Sequence, residues 1–584
     1  MNLFSVADFY INRLVNSQAR GRNASLAEQK RIKALLLDKD TTSTISMCAT
    51  QSELLNHEIY LVDTIENSNR DMMRHLRCIV YVKPTEETIQ ALLRELENPK
   101  YGEYHIFFSN TVSKSQLERL AEADSMECVS KVEEIFQDYF ILNEDLFSFD
   151  MNSTGLFANA LLWEEEGLID CTKSLTSLLL SLKLKPEIRY DAHSRLCAKL
   201  AKEVSYEITQ SEKTLFDFPI MDSPPILVLL DRKSDPLTPL LQPWTYQSMI
   251  SEYIGVKRNM VDLSKAPDID KDLQKVTLSS KQDSFFRDTM YLNFGELGDK
   301  VKQYVVNYRD KTNSNSQINT VEDIKNFIEK YPEFRKLSGN VAKHMAIVGE
   351  LDRQLQTRNI WEVSEVEQNL AVHKDDPEDF KDLVKLLQDS KIDKYYKLKL
   401  ACIYALRQGN SNTQLNEIVQ TLQSQPLFPA EDVNLFHKFR RIFGQNQAAD
   451  ETQARYRERD DLLTELTKRF NSRMNAKNAD SDNVYMQHIP KLSKLLTDFS
   501  KNKVSKEQLK TIEETENFKG GTAITPAQDI VVFIVGGATF EEARFVHEFN
   551  ETMKGKMRVV LGGTSMLSTH QYVEAIRQIN SSSI

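Results

Sequence analysis

The carboxyl-terminal tail constrains this chain more than any other part of it. Asp529 to Val535 (DIVVFIV) and Met557 to Leu561 (MRVVL) are apolar runs of buried-strand length, each followed by a glycine pair. Two strands and their connections cannot build a core alone, so they must complete a sheet begun earlier. The run that fits is Ile226 to Leu230, closed by Asp231 and Arg232. Pro236, Pro239 and Pro243 follow at once; each fixes its own φ and pushes the preceding residue out of helix, so the chain leaves the strand as a stiff extended crossing. If one sheet takes strands from both places, the residues between are an insertion. That stretch, roughly 243–474, has few glycines, long charged-and-apolar periodic runs and no alternating strand pattern, and reads as helical.

The first 135 residues alternate helix and strand. Leu3, Val6, Ala7, Tyr10, Ile11 and Leu14 mark one face of a first helix, followed by apolar runs at Ile32–Leu37, Ile59–Val62, Cys78–Val82 and Ile106–Phe108. Alternating strands and helices predict an open parallel sheet covered on both faces. A second α/β region starts near Phe140. The expected division is therefore 1–135, then 136–242 joined to 475–584, with 243–474 inserted as an all-α unit. Polar tracts at 443–460, 474–483 and 505–528 read as exposed loops, and no internal repeat is evident.

Chemistry is thinly signalled. The glycine pairs suggest anion-holding turns, yet neither has the spacing of a phosphate loop and no lysine follows. Tight turning and close helix–sheet packing explain them better, and Thr539 with Glu542 three residues on is a helix-opening capping box. Asp231 and Asp235 could be a carboxylate pair, but Arg232 and Lys233 beside them favour a structural ion pair. The ten histidines are dispersed and no hydrolase or metalloprotease motif occurs, so catalysis and a cofactor are not expected. Six separated cysteines fit buried thiols in a reducing compartment. A formal net charge of −11 argues against a dedicated nucleic-acid binder. The amino terminus lacks the features of a signal peptide, and no apolar run approaches the roughly 20 residues that cross a bilayer. The expectation is a cytoplasmic protein that meets membranes through partners.

Two segments stand out. In Ser113 to Phe136, Ser113 and Gln116 form a capping box; Leu117, Leu120 and Ala121 give the helix an apolar side, continued by Val129, Val132 and Ile135. By pattern alone these are core residues. In Tyr331 to Leu355, Val341, Met345, Val348, Leu351 and Leu355 recur at helical spacing behind Pro332, which follows the helical-looking VEDIKNFIEK. The plain reading is a helix–turn–helix. His344 beside that stripe has no visible partner in sequence, and reads as solvated or hydrogen-bonded.

The segment DR-x-x-DP-x-TPLL-x-x-x-TYQ at 231–247 resembles the signature of the SM proteins, the syntaxin-binding chaperones of vesicle fusion. The likeness extends over MNLFSVADFYINRL, LLLDKDTTSTIS, DTMYLNFGELG, the Pro332 region and IVGGATFEEAR, and is greatest to the vacuolar-protein-sorting branch that acts at the trans-Golgi network and endosomes. It implies a three-domain arch: two α/β domains, one split, and a helical insertion. It implies a pocket for the N-terminal peptide of a syntaxin-type (Qa) SNARE at Leu117, Ala121, Val129, Val132 and Glu134. It also implies a helical hairpin hinged at Pro332, with Met345 and Val348 on its apolar surface, on which SNARE helices assemble. Acidic residues of the first domain, Glu53, Glu58, Asp63 and Glu66, would face basic positions of a SNARE helix across the cleft. The partners implied are the syntaxin, the assembled SNARE complex and a vesicle SNARE, bound by a monomer that sits peripherally on Golgi, endosome or vacuole membranes. An SM protein of another fusion step, a nucleotide-binding enzyme and a general membrane tether are the competing readings.

Overall fold

The computed structural model describes residues 1–17, 31–152, 156, 163–219, 221–267, 269–313, 332–373, 376–408, 412–425, 428, 430–443, 484–512 and 527–579. In chain order, α1 (Leu3–Val15) leads to β1 (Lys33–Leu37), α2 (Lys39–Cys48), α3 (Gln51–Asn56), β2 (Ile59–Thr64), β3 (Met73–Val82), α4 (Glu86–Glu97), β4 (Tyr101–Phe108), α5 (Lys114–Ala123) and β5 (Val129–Glu134). The five strands make one parallel sheet in the order β2-β1-β3-β4-β5. Its central strands are apolar on both faces, as burial from two sides requires. Leu35, Leu37, Ile79, Tyr81 and Phe107 face α1 and α2, whereas Leu36, Val80, Ile106 and Phe108 face α4 and α5. Strand β5 differs from the sequence reading, which ran its apolar set across a loop. It is an edge strand, with Val132 opposite Ile106 and Glu134 opposite Phe108. Lys131, Glu133 and Glu134, with only two apolar residues three apart, hid it.

The second sheet opens with β6 (Phe140–Asn143) and β7 (Leu146–Ser148), then α6 (Glu165–Ser181), β8 (Glu187–Asp191), α7 (Arg195–Gln210) and β9 (Ile226–Asp231). The chain next makes a short α8 (Tyr246–Met249) and three small strands, β10 (Val256–Lys257), β11 (Met260–Asp262) and β12 (Lys275–Thr277). Helices α9 (Ser284–Thr289), α10 (Phe294–Asn313), α11 (Pro332–Thr357), α12 (Ile360–Val372), α13 (Pro377–Gln388), α14 (Lys394–Gln408), α15 (Asn412–Gln423), α16 (Ala430–Phe443) and α17 (Lys491–Ser500) follow. The sheet resumes with β13 (Leu509–Thr511) and β14 (Asp529–Val535), then α18 (Phe540–Thr552), β15 (Arg558–Gly563) and α19 (Thr569–Arg577). Its order is β13-β8-β9-β14-β15-β7-β6, so β14 lies between β9 and β15, with Val532 level with both Val228 and Leu561. Strands separated by some three hundred residues thus share one hydrogen-bonded ladder.

Three details depart from expectation. The inserted region is not wholly helical, because β10, β11 and β12 form an antiparallel sheet. Strands of two and three residues are too short to show an alternation, and the turn is marked only by Arg258 at a φ of 61°. The polar stretch from 505 contains β13, which pairs antiparallel with β8 through a buried Leu509. The hairpin β6-β7 is antiparallel as well, so only the middle of the second sheet is parallel. Of the expected loops, 444–460, 474–483 and 513–526 lie outside the described residues.

The motif at 231–247 is an internal fastening. Arg232 is buried and donates from both terminal nitrogens to Glu542, at 2.9 and 2.7 Å, instead of pairing chiefly with a neighbouring aspartate. Asp235 accepts from the Thr238 hydroxyl at 2.6 Å and the Lys491 amide at 3.1 Å. The Gln242 amide donates to Glu367 at 2.9 Å, and Glu367 is paired with Lys399 at 2.7 Å, both fully buried. The glycine pairs are spatial requirements. A Cβ on Gly562 would stand 2.1 Å from the Phe147 ring, and Gly537, at a φ of +109°, packs against Leu567 and Ser565. The Thr539–Glu542 capping box is present, and its glutamate is the one that holds Arg232.

Candidate functional site

Helix α5 and edge strand β5 carry the first candidate surface. Ser113 opens α5 with a reciprocal capping box to Gln116, and Leu120 anchors it in the core beneath. Residues three back and one on from that anchor point elsewhere. Leu117 is 38% exposed, Ala121 is exposed, and Val132 on β5 is 39% exposed. Val129 is half-buried against the same core. Paired residues of a parallel ladder share a face, so Val132 and Glu134 stand on the side of the sheet that α5 covers. The structure thus brings all five expected residues to one flank of the domain. The core reading of Leu117, Ala121 and Val132 is corrected, because β5 ends the sheet and, among the described residues, no further strand or helix covers them. Glu134 is half-buried, and its carboxylate accepts from the Val112 amide at 2.7 Å, which fixes the entry to α5. The arrangement can hold an apolar side chain and offers a carboxylate at one end.

The acidic residues lie at the opposite edge of this sheet. Glu53 accepts from the Thr50 amide at 2.6 Å and closes the capping box of α3. Asp63, on β2, accepts from the Thr64 amide at 2.7 Å and from Asn67 at 2.9 Å. Both carboxylates therefore have local work. Glu58 holds a φ of 62° just before β2, and Glu66 is exposed just after it. Composition gave no hint that β2 also exposes Tyr60 and Val62. Strand periodicity could have shown it: Tyr60 and Val62 alternate with Ile59 and Leu61 at a sheet edge.

Helix α11 carries the second surface. Pro332 is its first residue, a position where a missing amide hydrogen costs nothing. The helix before it is α10, ending at Asn313, and the expected helical run at 321–330 lies outside the described residues. The buried stripe is Val341, His344, Ile347, Leu351 and Leu355; Val348 is half-buried and Met345 is half-exposed on the outside. Helical spacing alone would pack Met345 inward with the stripe, whereas the family resemblance put it on an apolar surface, and it lies half-exposed. His344 takes the inward place because the core offers it partners. Its Nε2 lies 2.7 Å from Asp283, and its Nδ1 lies 2.8 Å from the Tyr246 hydroxyl. Burial pushes the imidazole pKa down more than Asp283 lifts it, so the neutral ring donates to Asp283 and accepts from Tyr246. Burial pushes the Asp283 carboxyl up, but the hydrogen bond from His344 and the ammonium of Lys343, 2.6 Å away, outweigh it and leave it well below the usual carboxylate range.

Elsewhere the chemistry is quiet. All six cysteines are buried and unpaired, and burial pushes the Cys48 thiol up to about 12. His373, Asp376 and Asp379 gather within 4.8 Å at the start of α13, but His373 is bonded to Asp379 at 2.9 Å and a helix amino terminus repels cations. Among the described residues, no helix is long and apolar enough to cross a membrane.

The model of the Sec1 family matches residues 33–575. This chain belongs to the Sec1 family. It is 65% identical over 579 residues to a vacuolar protein sorting-associated protein 45 from Saccharomyces cerevisiae, spanning 99% of this chain and 100% of that one. A human protein of the same name is 37% identical, with 99% and 96% covered. A solved structure of the SM protein Vps45 in complex with the Qa SNARE Tlg2 superposes with a TM-score of 0.85 at 39% identity, covering 99% of this chain and 98% of that one. The arch-shaped SM fold, with its two α/β domains and helical domain, is thereby the fold of this chain.

Proposed function

We propose that this protein is a SNARE-binding chaperone of vesicle fusion in transport between the Golgi, endosomes and vacuole. It binds a syntaxin-type Qa SNARE and templates SNARE complex assembly, with a vesicle SNARE as a further partner. The observation that carries the reading is the likeness, along nearly the whole chain, to a protein solved with a Qa SNARE. The division at 1–135, 136–242 with 475–584, and 243–474 belongs to the same reading. In it, the flank at Leu117, Ala121, Val129, Val132 and Glu134 receives the syntaxin N-terminal peptide. The uncovered apolar side chains there support that role, since an apolar anchor from a partner buries them. Met345, Val348 and the helix begun at Pro332 form one wall for SNARE helices, and Glu53 and Asp63 bring negative charge to the other. The work is positioning without covalent chemistry: holding SNARE segments together meets their ordering entropy in advance. The glycine turns, filled by Leu567, Ser565 and Phe147, give a nucleotide no support. The protein is peripheral and monomeric, cytoplasmic and held at membranes by its partners.

Calorimetric titration with an endosomal syntaxin, with and without its N-terminal peptide, tests this. Tight binding weakened by removing the peptide is the expected result; no binding to any syntaxin overturns it. Tighter binding to a plasma-membrane syntaxin would move the protein to another fusion step. Pro332→Ala lets the helix continue towards residue 331 and is expected to speed SNARE assembly. Unchanged rates would take that helix out of the mechanism.

A further inference from the structure

The two proposed partner surfaces stand on different domains, and one short segment joins them. It runs from β10 to Asp283. At its tip, Arg258 grips the first turns of α2: it donates to the Lys39 carbonyl and the Ser43 hydroxyl, both at 2.9 Å, and to Asp40 at 2.6 Å. Its Nε donates to Asp150 at 3.3 Å, and the guanidinium lies 4.1 Å from the centre of the Phe140 ring. Four of the five N–H groups of a rigid fork are accounted for, with the side chain only 13% exposed. Asn259 donates to Ser46 at 3.1 Å. At the far end of α2 the last carbonyls have no partner within the helix. The Ser279 hydroxyl takes that of Met47 at 2.8 Å, and the Lys281 ammonium takes that of Cys48 at 2.6 Å and also pairs with Asp8. Helix α2 is thus held from end to end by Arg258, Asn259, Ser279 and Lys281. The same segment then reaches α11: Thr277 accepts from Lys343 at 3.4 Å, and Asp283 takes Lys343 and His344. Met345 follows directly.

We infer that residues 256–267 and 269–283 form a strut that sets the spacing between the N-terminal domain and α11, with Arg258 as its positioning residue. The inference rests on the proposed function only for its consequence in binding. An arginine fork that joins α2, Asp150 and Phe140 fixes orientation as well as distance, which a single lysine bond does not. Without it the strut keeps the His344–Asp283 attachment to α11 and the Ser279 and Lys281 bonds to the far end of α2, but loses its hold on the first turns of α2, on Asp150 and on Phe140.

The test separates geometry from stability. Cysteines introduced at Val62 and Met345, both exposed, take spin labels while the six native thiols stay buried. Pulsed electron paramagnetic resonance is expected to give one narrow distance in the parent protein and a broadened or shifted one in Arg258→Met, with Arg258→Lys between them. Asp40→Asn, which removes the charge of one half-buried partner, is the milder variant if Arg258→Met does not fold. In unlabelled protein, affinity for a syntaxin lacking its N-terminal peptide is expected to fall about fivefold to tenfold, with affinity for the isolated peptide unchanged. A distance distribution identical to the parent's in folded Arg258→Met or Asp40→Asn overturns the inference, even if the melting temperature drops. Should no syntaxin bind the parent, the proposed function fails while the distances still decide the strut.

Discussion

The carboxyl ends of the strands in the two sheets meet opposite fates. In the split sheet, β9 and β14 end among groups that satisfy one another: Arg232 with Glu542, Asp235 with Thr238 and the Lys491 amide, glycines against Phe147 and Leu567. At the edge of the N-terminal sheet, Leu117 and Ala121 on α5 and Val132 on β5 are left partly exposed. Both regions are apolar stretches beside a helix amino terminus with a capping box. The difference is whether the chain itself supplies the covering layer. Where it does, polar residues are architecture; where it does not, apolar residues are free to meet a partner.

Stability should therefore respond strongly in the first region and weakly in the second. The largest loss is expected for Glu542→Ala, which leaves the Arg232 charge buried without its partner, at about 3–5 kcal/mol in denaturant unfolding. A loss under about 1 kcal/mol would mean that Asp235, 4.0 Å from Arg232, suffices alone. Gly562→Ala comes next, at about 1–3 kcal/mol, because the Phe147 ring it would strike is packed against Phe149 and Phe533. If its melting temperature matches the parent's, the sheet has more slack than the packing indicates.

A smaller, pH-dependent effect belongs to His344. Its pKa is lowered in the folded protein, so the unfolded chain binds a proton that the native state refuses, and stability falls as pH drops below about 6.5. Asp283, held low, adds stability that is lost only when pH falls below the ordinary carboxylate range. In His344→Gln, the slope of unfolding free energy between neutral pH and about 5.5 should become shallower. An unaltered slope would assign the pH dependence to other groups. The smallest change in stability, within about 0.5 kcal/mol, is expected for Leu117→Arg. Its affinity for a syntaxin N-terminal peptide should nevertheless fall by at least about tenfold, since an unpaired charge is driven against an apolar surface. Unfolding of this variant would place Leu117 in the core and erase the contrast; retained affinity in a folded variant would move the pocket.

Much of the frame could be read from runs of apolar residues, because β9, β14 and β15 are buried on both sides and have no polar face to blur the pattern. The short antiparallel strands and β5 were not legible, for the reason that two or three residues, or an edge strand with half its positions charged, carry little periodic signal. Partners distant in sequence were harder still. Nothing local to Arg232 points to Glu542, and nothing near His344 names Asp283 and Tyr246, so the helical stripe was drawn through Met345 on hydrophobicity alone. At the candidate surface, residue types were visible but exposure was not. That Leu117 and Val132 face solvent depends on β5 being the last strand, a property of the whole sheet and of no single segment.

The position of β14 also sets the order in which the molecule can assemble as it is made. It is the central strand of seven, yet it is among the last to leave the ribosome. Until then β9 and β7 each present a bare, apolar edge, open to pairing with another chain, through the synthesis of the entire helical region. The nascent protein thus resembles, for most of its synthesis, the half-finished clients that holding chaperones protect. A stop codon between residues 501 and 529 would leave the helical domain made but the sheet that anchors it permanently unclosed.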